Sequence, residues 1–564
     1  MKRRTFLGTV AASGAAASLA NARAALGAAP GDAGTSLDAD APGGSGAARA
    51  AGAPIPDERL AEATIAELQV EMTAGRLTSR RLVEFYARRI ASLDERGPRL
   101  GHVLEVNPEA QSIAAALDAE RRSRGPRGPL HGIPVLIKDN VATADRMQTT
   151  AGSYALAGVR PPRDATVAAR LRTAGAVLLG KTNLSEWANY RSTRSVSGWS
   201  ARGGQTRNPH ALDRNPSGSS SGSAVGAAAG TCAAAVGTET NGSIISPASI
   251  CGIVGLKPTV GLVSRAGIVP IAHSQDTAGP MTRTVADAAA VLTGIAGADP
   301  ADEATATAEG RAARDFTAFL DADGLRGARI GVVRERYTGT SVHADALLEA
   351  ALGALRERGA EIVDPANVAS LAQLAGSGDL LSWEFKADIE RYLAEWAPGA
   401  AVRNLDDLIA FNRREAAREM PFFGQEIFEQ AARRGPLTSP EYLQLKERVQ
   451  RLTRAEGIDA VMDQHRLDAL IAPSTAPARP IDLVNGDAGS GGTSGLAAIA
   501  GYPSITVPMG FVHGLPVGLS FFGRAWSEPV LLGLAFAYEQ ATRHRRPPRF
   551  APTADVPWDG RTVP

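Results

Sequence analysis

The chain has 564 residues, 44% hydrophobic and 21% charged, and its 60 basic and 59 acidic side chains leave a formal net charge of +1. A balance this close to zero offers no electrostatic case for a polyanion, so nucleic acid and an anionic membrane surface are set aside in favour of a small, uncharged or mixed substrate. The length allows a large core, and the two cysteines, Cys232 and Cys251, lie in apolar sequence, where buried thiols and no structural disulfide are expected.

At the N-terminus, Lys2, Arg3 and Arg4 precede a short apolar stretch from Phe6 to Ala20 and an A-x-A pattern at Ala22-Arg23-Ala24. This start resembles a twin-arginine export signal, which predicts a cleaved leader over 1–24 and a periplasmic or extracellular protein. The apolar part is too short and too rich in glycine, serine and alanine for stable membrane insertion. Residues 25–56 are Ala/Gly/Pro/Asp-rich, with few large apolar side chains to offset the entropy of ordering, and read as a disordered spacer. The folded domain is expected over 57–550, followed by a tail at 551–564.

Periodic apolar positions predict one amphipathic helix within Leu60–Leu77, ended by Gly75, and a second within Ser79–Asp94 capped by Thr78 or Ser79. Short apolar runs at His102–Val106, Ile133–Ile137, Ala176–Leu179, Ala328–Val333 and Leu467–Ile471 read as strands, separated by helical patterns such as Thr166–Thr173. Between the third and fourth runs, the Gly/Ser/Ala tract Ser217–Pro247 is too apolar for a linker and predicts a helix over Gly222–Gly230 and a strand over Ala233–Gly237. Residues 376–457 are helical in pattern and rich in aromatics, including Trp383, Tyr392, Trp396 and Phe423, and read as an insertion or cap. Strand patterns return in the terminal GYPSITVPMGFVHGLPVGLSFFG, so the sheet is completed from both ends of the chain. The expected fold is α/β, one large domain with a mostly buried mixed sheet flanked by helices.

Only six lysines stand against 54 arginines. Lys138 closes the apolar run of GIPVLIKDN, where burial would let it lose its proton and act as a general base, the alternative being a strand-end ion pair with Asp139. Lys181 and Lys257 sit beside turn-forming residues and are expected to be solvated or capping. Gly218-Ser219-Ser220-Ser221-Gly222 fits G-x-S-x-G with Ser220 as nucleophile, but the polar run before it is no strand, and none of the downstream histidines (His273, His343, His465, His513, His544) has a context that marks it. No H-E-x-x-H or C-x-x-C spacing occurs, so no zinc site is expected, and serine–lysine chemistry requires no metal or organic cofactor.

A lysine base, a bridging serine and a second serine use the unusual features together. The segments GIPVLIKDN, LLGKTNLSEWA, SGSSSGSA, GTETNGSI, CGIVGLKPTVGLVSRAGIVP, APST and GYPSITVP, in this order over roughly 60–550, resemble the amidase signature family. Within it, the KTNLSEWANYRSTRSVSGWS stretch and the TETNGS box are most similar to bacterial peptide amidases.

The resemblance implies Lys138 as catalytic lysine, Ser219 as a bridging serine held in a cis peptide, and Ser243 as the acylated nucleophile. It also implies an oxyanion hole from the backbone N–H groups of Thr240, Asn241, Gly242 and Ser243, with Arg265 and Asp276 in support rather than in the chemistry. Two departures stand out: Glu239 where the family often has Asp, and Asn241 where Gly or Asp is usual. A position that tolerates Gly suggests positive φ at Asn241. The implied reaction is hydrolysis of a carboxamide C–N bond through an acyl-enzyme, with a peptide C-terminal amide as expected substrate and a monomer or homodimer as the working form. Small aliphatic or aryl amides, the A subunit of the tRNA-dependent amidotransferase, and a non-catalytic binding protein remain alternatives. Trp187, Tyr190 and Trp199 are candidate pocket walls or core.

Overall fold

The computed structural model describes residues 56–488 and 491–556. The export-signal segment, the spacer short of Pro56 and residues 557–564 lie outside them.

Thirteen strands follow in chain order: β1 Val103–Val106, β2 Pro134–Lys138, β3 Val177–Thr182, β4 Trp199–Ser200, β5 Gly204–Gln205, β6 Ala234–Glu239, β7 Val254–Lys257, β8 Thr277–Thr282, β9 Arg329–Val332, β10 Glu361–Val363, β11 Ala469–Pro473, β12 Ser504–Val512 and β13 Leu515–Phe522. Eleven form one mixed sheet in the order β1-β3-β2-β6-β8-β7-β12-β13-β11-β9-β10, and β4 with β5 makes a separate ribbon. β2 is parallel to both β3 and β6, and every residue of these three strands is buried. Continuous apolar runs are what a strand covered by helices on both faces requires. β12 and β13 form a hairpin whose two turn residues, His513 and Gly514, have φ of 49° and 79°, the left-handed pair that matches strand twist.

The single helix expected over Leu60–Leu77 is two, Asp57–Glu62 and Ile65–Thr73. Thr64 breaks it: its hydroxyl accepts from Glu67 N at 3.2 Å while the Glu67 carboxylate accepts from Thr64 N at 2.8 Å, a capping box that starts a new helix. The second predicted helix begins at Ser79, with Thr78 as its cap. β3 runs on through Lys181 to Thr182, so the expectation of a solvated lysine there fails. Lys181 is buried and donates to Val141 O at 2.6 Å and Thr149 Oγ1 at 2.8 Å, and Lys257, the last residue of β7, is buried and donates to Pro258 O at 2.9 Å. The apolar strands decide the burial of both, and the neighbouring turn residues do not.

The 376–457 region is helical and falls between β10 and β11. At the other end, residues 551–556 bond back to the body of the fold, with Leu212 N donating to Ala551 O and Asp555 N to His513 O, both at 2.8 Å.

Candidate active site

Adjacent parallel strands place the first group. Lys138 ends β2 beside Thr238 of β6, and its Nζ lies 2.8 Å from Ser219 Oγ, 2.9 Å from Thr238 Oγ1 and 3.3 Å from Thr238 O. Asn140 Nδ2 donates to the same Thr238 hydroxyl at 2.9 Å, fixing it. The lysine is fully buried, and burial lowers its pKa to about 7, against smaller opposing fields from Asp276 and Glu239. The ion pair with Asp139 does not form: that carboxylate accepts from Thr150 and faces Arg202 at 3.8 Å.

The serine tract is packed without slack. The Gly218–Ser219 peptide is cis, and a Cβ on Gly218 would meet Ser185 Oγ at 2.2 Å. Ser219 O accepts from Ser185 N at 3.1 Å, which leaves the Ser219 hydroxyl turned to Lys138. Ser220 is committed to structure: its hydroxyl donates to Thr238 O at 2.9 Å and accepts from Thr238 N at 3.1 Å, tying the start of the Ser221–Ala228 helix to β6. The G-x-S-x-G pattern therefore marks a packing serine, and that helix follows Ser220 directly, so Ser219 is not its cap.

Two carboxylates hold the loop after β6. Glu239 Oε2 accepts from Ile244 N at 2.7 Å and Ile245 N at 3.0 Å, so the carboxylate satisfies the amides that follow Ser243. Thr240 Oγ1 donates to Asp276 Oδ1 at 2.5 Å, and Asp276 also accepts from Ile271 N at 2.8 Å and Ala272 N at 2.9 Å. Among the described residues no acceptor faces the N–H groups of Thr240, Asn241, Gly242 or Ser243. These four successive amides are without hydrogen-bond partners among the described residues. Ser220 N donates to Ser243 O at 3.2 Å, so the two serine segments are in direct contact. Arg265 is held by Asp302, with Nε to Oδ2 at 2.8 Å, and supports the loop beside the site.

Positive φ falls on Gly242, at 86°, and not on Asn241 as the sequence suggests. The Asn241 side chain instead accepts from Ser494 Oγ at 3.3 Å. Asn241→Gly is thus expected to keep kcat for a carboxamide within about threefold, because a backbone donor is retained. Gly242→Ala, whose Cβ would meet Ser494 Oγ at 2.8 Å at a strained φ, is expected to lose about 10²-fold. Steady-state kinetics on the two variants checks the contrast.

A cavity of about 270 Å³ is lined in part by Asn140, Thr238 and Thr240, the residues flanking Lys138 and opening the amide loop; Lys138, Ser219 and Ser243 are not themselves among its walls. Two aromatic walls, Tyr392 and Trp396, come from the Asp379–Trp396 helix, so the insertion lines the pocket. Arg163 stacks on Trp396 with its guanidinium carbon 3.9 Å from the ring centroid. The sequence does not single out this pair as walls, although their i, i+4 spacing is visible in a helical segment. Trp187, Tyr190 and Trp199 are not walls: they pack on Phe428, Phe385 and Phe423 at ring separations of 5.8, 5.2 and 5.1 Å. Of the described residues, His273, Glu384 and Asp388 are grouped closely enough for a metal ion, but their hydrogen bonds to one another, to backbone N–H groups and to Tyr442 already engage them.

A buried lysine on a serine hydroxyl, with a second serine segment in contact through Ser220 N and Ser243 O, sits on a mixed α/β sheet. The Amidase family model matches residues 81–532, and the chain belongs to that family as a hydrolytic amidase. The native peptide amidase from Stenotrophomonas maltophilia is 54% identical, with a TM-score of 0.83, over 88% of this chain and 100% of that one. A probable amidase of Arabidopsis thaliana is 42% identical over 87% of this chain and 92% of its own length. The A subunit of the glutamyl-tRNA(Gln) amidotransferase of Roseiflexus castenholzii is 37% identical over 87% of this chain and 98% of its own. No helix among the described residues is long and apolar enough to cross a membrane.

Proposed function

We propose that this amidase hydrolyses the C-terminal amide of peptides to the free acid and ammonia through a Ser243–Ser219–Lys138 triad. The observation that carries the reading is Lys138, buried, near-neutral and 2.8 Å from Ser219 Oγ, next to the free amides that end at Ser243. Ser243 Oγ attacks the amide carbonyl as its proton passes to Ser219 Oγ, whose own proton passes to the neutral Lys138 amine. The oxyanion forms against the amides of Thr240 to Ser243. Collapse expels ammonia, which takes the proton back along the same path, and leaves Ser243 acylated. Water then repeats the sequence on the ester and releases the acid. This route uses no metal or organic cofactor.

A peptide amide is favoured over the tRNA-linked substrate of the amidotransferase because identity to the Stenotrophomonas peptide amidase is 54% against 37%, and because the pocket has aromatic walls suited to a side chain beside the amide. The test is mass spectrometry of a short peptide amide incubated with residues 57–564, beside a Ser243→Ala control. Loss of the terminal amide alone, absent in the control, is the expected result. Turnover of simple amides only would move the assignment to small substrates, and no turnover by folded protein would favour a binding role. Export by the N-terminal 24 residues belongs to the same proposal, and a secreted product beginning near Ala25 on N-terminal sequencing is its expected sign.

A further inference from the structure

One face of the Asp379–Trp396 helix carries Glu384, Asp388, Tyr392 and Trp396 at successive i, i+4 positions, and all four are buried. The first two are carboxylates; Asp388, Tyr392 and Trp396 line the cavity, as does His273 itself. Buried carboxylates demand compensation, and here it comes from the loop that also supports the amide donors. His273 Nδ1 lies 2.9 Å from Asp388 Oδ2 and Nε2 lies 3.6 Å from Glu384 Oε1, so each ring nitrogen faces a carboxylate. The backbone joins in, with His273 N donating to Asp388 and Ser274 N to Glu384, both at 2.9 Å.

We propose that His273, as an imidazolium between Glu384 and Asp388, is a positioning residue that clips the wall helix to the 264–276 loop and so sets where Tyr392 and Trp396 meet the substrate side chain next to the scissile amide. A helix fixed at two points four residues apart cannot rotate, and rotation is what would carry the next two members of the row out of the cavity. The inference rests on the amide-hydrolase reading for its substrate and on the ion-pair geometry for its mechanism.

The groups facing His273 are Glu384 and Asp388 on the wall helix, Tyr442 and Lys446 on the Pro440–Thr453 helix, and Arg265, which donates to His273 O. Arg391 also donates to Asp388, at 2.9 Å, but from the exposed side of the same helix, so it does not span the joint. Burial draws the His273 pKa down, yet the hydrogen bond to Asp388 and the fields of both carboxylates outweigh it and Lys446, and the group stands above the ordinary histidine value. A raised value means that the clip is complete at lower pH and is released as pH rises through it.

The test compares wild type, His273→Gln and the triple variant His273→Gln/Glu384→Gln/Asp388→Asn. With peptide amides ending in phenylalanine amide, KM is expected to rise about tenfold in His273→Gln while kcat stays within about threefold. With glycine amide the change in KM is expected to be small. The triple variant lacks both halves of the clip, so its KM is expected to stay as high as that of His273→Gln and its pH profile as flat, whereas a lesion due only to unpaired buried carboxylates would be rescued. Wild-type KM should climb on the alkaline side, and that of His273→Gln should stay flat. Hydrogen exchange over residues 384–396, read without substrate, should be about tenfold faster in His273→Gln than in wild type. Unchanged exchange overturns the clip, and a raised KM beside it would mean that His273, a wall of the cavity, meets the substrate directly. A wild type inert toward every peptide amide overturns the substrate reading alone, and the exchange measurement then still decides the clip.

Discussion

Lys138→Arg is expected to lower kcat/KM for the carboxamide substrate by about 10⁴-fold while leaving the protein folded, since arginine keeps a cation but cannot serve as a base. Lys138→Ala should do no better. The same lysine predicts the pH profile of the wild type. Only the neutral amine can accept the proton relayed from Ser219, and with a pKa of about 7 the neutral form grows as pH rises through that value. Activity should therefore fall tenfold per unit on the acid side of a midpoint near 7 and level off above it. A free lysine, at about 10.4, would instead place that limb near the alkaline end of the measurable range. An arginine variant with a tenth of wild-type activity, or a rate flat between pH 6 and 8, would remove Lys138 from the role of base.

The second large effect concerns packing. In Gly222→Ala the new Cβ would stand 2.3 Å from His102 O and 2.5 Å from Asn183 O, both backbone atoms that cannot swing aside. The Ser221–Ala228 helix must move away from the residue before β1 and the residue after β3, and the change is expected to cost about 3 kcal/mol of stability. Because Ser219 lies two residues before that helix, activity should fall beyond what the loss of folded protein explains. Gly353→Ala is the control: it lies within the Val342–Glu357 helix with nothing within 4 Å of its Cβ, and it should stabilise by about 1 kcal/mol. Thermal denaturation with activity assayed well below the transition separates the two effects.

These two sites were unequally visible in the sequence. Lys138 stood out because a lysine is costly in an apolar strand and this chain otherwise writes its positive charge as arginine. The strand and helix around Ser219 were readable from apolar runs and glycine punctuation, and the sheet from the spacing of its strands. What escaped depends on contacts between distant residues. The burial of Lys181 rests on carbonyl and hydroxyl acceptors more than thirty residues upstream. The fate of Trp187, Tyr190 and Trp199 rests on which aromatics of the insertion they meet, and a single aromatic carries no mark that separates core from wall. The left-handed turn at Gly242 rather than Asn241 follows from the path of a loop anchored by Glu239, which local sequence does not encode. The break at Thr64 is different: Thr followed three residues later by Glu is a readable helix start, and the longer apolar period masked it.

The proposed reacting groups and most of their supports fall between residues 138 and 276, on or beside β2, β6 and β8, which are neighbours in the sheet, whereas the aromatic walls Tyr392 and Trp396 belong to a stretch inserted between β10 and β11. The proposed chemistry is therefore written in one part of the chain and the aromatic share of substrate choice in another, with His273 joining the two. Exchanging the 376–457 segment between relatives should carry the side-chain preference with it and leave the rate of bond cleavage behind, which makes that segment the natural unit for redesign.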